Sequence, residues 1–122
     1  MDQPALEQIV RPFDSVTVFG GATLDRVAQS SAPPVMGASN PGTVRRIPGG
    51  VGLNVAMVLA RLGVPTRLVA RVGADLDGNT VTDAARAAGV DTSGLTVSAE
   101  TPTAGYHATL DEAGGLIIGI AD

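Results

Sequence analysis

The chain of 122 residues contains no cysteine. That excludes disulfides and thiolate metal sites, and it fits the cytoplasm. Aromatic residues are scarce, with two Phe, one Tyr and no Trp. Stacking platforms for single-stranded bases are therefore excluded. Positive charge is also in deficit: the net charge is −4, and no block of basic residues stands out. Such a surface is poorly suited to a nucleic-acid backbone. No apolar run reaches the roughly 20 residues that span a bilayer. The opening "MDQPALEQIV" lacks a basic stretch followed by an apolar one, so it does not read as a secretion signal. Nucleic acid and membrane are thus set aside as partners. What is present is a hydrophobic content of 44%, enough for one small domain with a core.

Strand and helix signals alternate along the chain. "DSVTVFGG" (Asp14–Gly21) is short, β-branched and ended by glycines, so it reads as a buried strand. The segment Ala22–Gly50 is rich in Pro, Gly, Ser and Asn and reads as an excursion from the core. Two short strands are expected in it, near Arg26–Gln29 and Thr43–Ile47. A helix follows over Leu53–Leu62, with Val55, Val58, Leu59 and Leu62 as its apolar stripe and Gly63 as its stop. "TRLVARVG" (Thr66–Gly73) is the next strand. Asp75–Gly89 is a second helix, capped by Asp75 or Asp77 and stopped by Gly89. The chain then changes period to a hairpin, with arms at about Ala104–Leu110 and Leu116–Ala121 around the turn "DEAGG". Its alternating Tyr106, Ala108, Leu110 and Leu116, Ile118, Ile120 suggest an association surface. Strand–helix–strand units predict an α/β fold with a mainly parallel sheet. The stop at Asp122, directly after an apolar strand, leads us to expect a fragment of a longer protein.

The chemistry concentrates in "PGGVGLNVAMVLARLG" (Pro48–Gly63), where glycines lead into a helix. A dinucleotide fingerprint fails, because Val55 stands at the third glycine position and Arg71 is not an acid. A phosphate loop fails too, for want of a Lys-Ser/Thr pair. A plain tight turn remains possible. The other reading is a ligand cradle of free N–H groups at a helix N-terminus, with Asn54 able to donate and accept. Asp25, just past the first strand, would accept hydrogen bonds from vicinal hydroxyls; by itself it reads as a solvated loop residue. His107 reads as a surface or packing residue, Asp111 and Glu112 as turn residues, and Arg45–Arg46 as too short for a basic patch. Asp122 could border the ligand, and alternation allows only one of Tyr106 and His107 to face inward.

Four segments in order, "GGATLD", "GGVGLNVAMVLARLG", "RVGADLDGNTVTDAARAAGVDTSGL" and "TPTAGYHATLDEAGG", resemble the N-terminal half of the ribokinase-like (PfkB-type) sugar kinases. Within that family, "SNPGTVRRIPGGVGLNVA" and "GLIIGIAD" look most like pseudouridine kinases, which commonly carry an arginine where this chain has Leu53. The resemblance implies a ribokinase-like α/β domain over residues 14–122, preceded by an extension at 1–13. A small β-lid would be built from residues of about 26–48 and 104–121. It implies transfer of the γ-phosphoryl group of ATP, with Mg2+, to a sugar hydroxymethyl oxygen. Asp25, Gly49, Gly50 and Asn54 would hold the sugar, Asn40 a nucleoside, and the lid would also join a homodimer.

The family's Gly-Ala-Gly-Asp segment, which carries the base and the phosphate hole, is absent here, as is any nucleotide or magnesium segment. "DTSGL" begins like that signature but continues "TVS". The catalytic residues are therefore expected beyond Asp122, and the chain alone is expected to be inactive. Ribose, fructose and adenosine stand beside pseudouridine as substrates the resemblance allows. A non-catalytic ligand-binding or dimerisation module is the contrasting reading.

Overall fold

The computed structural model describes residues 14–122, and the expected extension at 1–13 lies outside them. The elements in chain order are β1 (Val16–Phe19), β2 (Thr23–Ser30), β3 (Gly42–Gly49), α1 (Val51–Arg61), β4 (Thr66–Gly73), α2 (Leu76–Ala87), β5 (Leu95–Ser98), β6 (Gly105–Leu110) and β7 (Leu116–Ala121). They form two sheets. One is parallel, in the order β1-β4-β5; the other is mixed, in the order β3-β2-β6-β7. The second is made of the strands expected to form the lid, and is called the lid sheet below. The excursion and the hairpin therefore join into one sheet through the parallel pairing of β2 with β6.

The excursion strands are longer than the sequence suggests, eight residues each, and β2 begins inside the core. Ala22 and Leu24 are buried with Leu53, Ala56, Leu68, Val72, Val81, Ala85 and Val90. Full burial of Leu24 contributes roughly 2 kcal/mol and anchors the lid at its root. The Pro, Gly and Ser residues that gave the excursion its loop-like character lie mostly in the turn between β2 and β3. β5 escaped the sequence reading, because "DTSGLTVSAE" is polar and its strand is only four residues long; parallel pairing with β4 defines it.

Two further expectations are corrected. β1 is not a buried strand. Among the described residues only β4 flanks it, and Phe19 is 77% exposed. The stripe read on α1 lies mostly on its outer face: Val55, Val58 and Leu62 are exposed and Leu59 is half-buried, whereas Gly52, Leu53 and Ala56 are buried. At Gly52 the helix lies so close to β1 that no side chain fits between them. A Cβ on Gly52 would stand 2.7 Å from the Gly20 carbonyl carbon, so backbone meets backbone there.

The two helices among the described residues end in the same way. Gly63 N–H donates to Ala60 and Val64 N–H to Leu59; Gly89 N–H donates to Arg86 and Val90 N–H to Ala85. These are paired Schellman bonds with glycine at positive φ, and Val90 closes the second into the core. No helix among the described residues is long and apolar enough to cross a membrane.

Candidate functional site

The site lies where β1 gives way to β2 and β3 runs into α1. Asp25 is on β2, and the register places it opposite Ile47 of β3 and Tyr106 of β6. The Thr23 hydroxyl donates to Asp25 Oδ1 at 2.8 Å. Asp25 Oδ2 lies over Gly49, where any side chain would collide with it. That oxygen has no hydrogen-bond partner among the described residues, so it is free to accept from a ligand. Gly49 is thus a glycine because the carboxylate occupies its Cβ position.

Gly50 is the N-cap of α1, with φ 91° and no side-chain cap. A Cβ there would lie 2.6 Å from the Gly21 carbonyl oxygen. Leu53 N–H donates to that same carbonyl at 3.1 Å, and Asn54 N–H donates to Gly50 at 3.0 Å. The Asn54 side chain is exposed and makes no hydrogen bond among the described residues. Asp25 and Gly49 are thus in contact, Gly50 follows as the helix cap, and Asn54 lies in the first turn of α1. Such a set can accept from and donate to hydroxyl groups.

Asn40 does not join them. It lies in the β2–β3 turn, and its side chain accepts from Val35 N–H and donates to the carbonyls of Val35 and Ala38. Gly42, the first residue of β3, is five residues from the Ile47 row, roughly 17 Å along an extended strand. Asn40 instead lines a shallow cavity with Gln29, Leu110 and Ile117.

Of the aromatic pair on β6, Tyr106 shares the Asp25 row and His107 the Arg26 row, so Tyr106 faces the site. Its hydroxyl lies across Gly119 of β7, which has no Cβ to obstruct it. Asp122 pairs with Gly105, one row away from Asp25. Asp111 accepts from Ala113 and Gly115 N–H and is a turn residue. Arg45 and Arg46 point to opposite faces of β3. The hairpin residues named above divide likewise: Tyr106 and Ala108 pair with Ala121 and Gly119, while Ile118 and Ile120 pair with Thr109 and His107. The register thus splits that expected apolar surface between two faces.

The sequence reading missed the way the lid is fastened to the core. Asp75, the N-cap of α2, accepts from Gly78 N–H at 2.7 Å, Thr103 N–H at 2.8 Å and the Thr103 hydroxyl at 2.7 Å. The Thr103 hydroxyl in turn accepts from Gly73 N–H. Those bonds, the Thr103 hydroxyl first, hold the Asp75 carboxyl below its usual value of 3.8. Only the capping half of this network is visible as a sequence pattern; Thr103 is 28 residues away. At the opposite end of the sheet, Asp91 is lowered to about 2 by Ser93 N–H and by Arg67. Among the described residues no three acidic or imidazole side chains converge as a metal-ligand set.

The parallel sheet with its flanking helices and the second, mixed sheet make a ribokinase-like α/β fold. Residues 14–121 match the pfkB family of carbohydrate kinases, and the chain belongs to that family. It is 32% identical to pseudouridine kinase of Escherichia coli (strain K12) over 113 residues, which covers 93% of this chain and 36% of that protein. Among solved structures it is similar to a carbohydrate kinase from Agrobacterium tumefaciens, at 38% identity and a TM-score of 0.83, with 90% of this chain and 36% of the other covered. Arabidopsis thaliana ribokinase, solved with ribose and ATP, superimposes with a TM-score of 0.78 at 26% identity, covering 88% of this chain and 35% of the other. The chain thus spans about 36% of the length of the curated relative it matches.

Proposed function

We propose that residues 14–122 are the sugar-recognition and lid portion of an ATP-dependent kinase, with pseudouridine as its substrate. The observation that carries the reading is the unpartnered Asp25 oxygen held over Gly49, at the strand that runs into α1. The carboxylate accepts from two neighbouring hydroxyls of the sugar, and Asn54 adds a directional bond near the Gly49–Gly50 backbone. Asn40 reaches a nucleobase only if its turn folds over the site and its three side-chain bonds break. The lid sheet excludes water, which would otherwise take the phosphoryl group. The hydroxymethyl oxygen attacks the γ-phosphorus, the bond to the ADP oxygen breaks, and the proton passes to a base outside residues 14–122. Magnesium accompanying the ATP would likewise be held outside these residues. Use of ATP fits a cytoplasmic enzyme. The 32% identity to a pseudouridine kinase supports the substrate assignment. Leu53, fully buried in the core, cannot supply the arginine expected at its position in that group. The exposed Ile118 and Ile120 of β7 provide an apolar face for a homodimer.

The test is ATP-dependent phosphorylation by the full-length polypeptide of pseudouridine, ribose, fructose and adenosine, followed by mass spectrometry of the products. Pseudouridine should give the highest kcat/KM. A higher value for ribose, fructose or adenosine overturns the substrate, and no phosphorylated product from any of the four overturns the kinase reading.

A further inference from the structure

The register of β2 and β3 places Arg26 directly opposite Arg46. Like charges in that position destabilise a strand pair. His107 of β6 continues the same row beyond Arg26, so two arginines and a histidine stand side by side across three strands. One acid meets the two arginines. Arg26 Nη2 donates to Asp77 Oδ2 at 2.6 Å, and Arg46 Nη2 donates to Asp77 Oδ1. Each carboxylate oxygen serves one arginine. The Asp77 side chain is only 20% exposed, against 34% and 45% for its partners, so the charge cluster is partly withdrawn from water and from salt.

Asp77 belongs to the first turn of α2, two residues after the cap Asp75. Asp75 grips Thr103, from which the chain enters β6. The same helical turn therefore holds β2 and β3 through Asp77 and the approach to β6 through Asp75. Lid and core meet there, on the sheet face opposite Asp25.

We propose that Asp77 is a positioning residue: by neutralising the paired Arg26 and Arg46, it holds the lid sheet at the angle that sets Asp25 over the sugar. The last clause rests on the kinase reading given above; the clasp itself does not. An ordinary exposed ion pair contributes little. A carboxylate that cancels a built-in repulsion makes a distinctive prediction, because removing one arginine should repair the loss of the acid.

Two variants of the full-length polypeptide test this, Asp77→Asn and Asp77→Asn/Arg46→Gln. Amide hydrogen exchange is read in β2, β3 and β4. Asp77→Asn should speed exchange in β2 and β3 about three- to tenfold while β4 keeps its protection. The double variant should return it to within about twofold of the parent. Unchanged exchange in β2 and β3, or further acceleration by Arg46→Gln, overturns the clasp. In kinetics, Asp77→Asn should raise the sugar KM more than it lowers kcat and leave the ATP KM in place, with Arg46→Gln restoring the sugar KM. Exchange that follows the prediction while the sugar KM stays at the parent value overturns the positioning role. If no sugar is phosphorylated by the parent, the kinase reading fails, and the exchange experiment still decides the clasp.

Discussion

Gly52 lies against the backbone of Gly20 and Gly21 at the junction of β1 and α1, and replacing Gly52 or Gly21 by alanine should have opposite consequences. A Cβ at Gly52 would lie 2.7 Å from the Gly20 carbonyl carbon, 2.8 Å from Gly20 Cα and 3.0 Å from Gly21 N. All three neighbours are backbone atoms, so no side chain can swing aside. Ordinary contact begins near 3.4 Å, so α1 must retreat from β1 by about 0.7 Å. Overpacking of this kind costs about 1–3 kcal/mol, and the gain in helix propensity returns at most about 1. Gly52→Ala should therefore destabilise by about 1–2 kcal/mol, although alanine is the better helix former. At Gly21 a Cβ meets nothing within 4 Å, and φ is not positive. Gly21→Ala should be neutral or stabilising by up to about 1 kcal/mol, through the unfolded chain. Urea unfolding of the full-length polypeptide, followed by circular dichroism, measures both. The Gly52 variant should show a lower midpoint at constant slope. If it is as stable as the Gly21 variant, the close approach of helix and strand is not what makes Gly52 a glycine.

The remaining predictions concern the site and its fastening. Asp25→Asn and Asn54→Ala in the full-length polypeptide should each weaken sugar binding by about 1–3 kcal/mol, roughly ten- to hundredfold, with the ATP KM unchanged; loss of ATP binding instead would refute the assignment. The isolated 122-residue chain should phosphorylate no sugar when incubated with ATP, and product formation above a no-protein control would refute that. Asp75 and Asp91 have folded values below 3.8, so each contributes stability that is fully present above that value and is lost as pH falls through the folded one. The urea midpoint should hold from neutrality to about pH 4 and then fall, and Asp75→Asn should flatten that fall.

The parts of this fold that could be read in the sequence are those whose cause is local. The bounds of β4 match because "TRLVARVG" is bordered by Pro65 and by Gly73. The helix stops match because Gly63 and Gly89 take positive φ, which other residues avoid. The turn "DEAGG" matches because Asp111 caps it from within. The misreadings share a different cause. Val55, Val58 and Leu62 satisfy a helical stripe, yet the side that packs carries Gly52, Leu53 and Ala56, because the backbone approach at Gly52 sets which side can come close. Periodicity counts apolar residues and says nothing of how near the next layer lies. β5 and the Thr103 bond to Asp75 depend on partners 25 to 30 positions away, and no local pattern announces them.

The glycine segment shows how site and scaffold become confused in a sequence. The four glycines of Pro48–Gly63, three of them at the start of the helix, suggested a surface kept bare for a ligand. Gly50 and Gly52 are accounted for by the chain itself, since each faces the backbone of Gly20 or Gly21 at a distance that admits no side chain. Gly63 is accounted for by the end of α1. Only Gly49 bears on chemistry, and it does so indirectly: its missing side chain is the space in which the Asp25 carboxylate rests with one oxygen free. The evidence for a binding site therefore does not lie in the number of glycines. It lies in a charged group that the fold keeps partly exposed and incompletely bonded, where the neighbouring Thr23 takes one oxygen and nothing in the described chain takes the other. Gly49→Ala would make the same point by experiment. It should displace the carboxylate and weaken sugar binding much as Asp25→Asn does, although residue 49 itself offers a ligand nothing beyond its backbone.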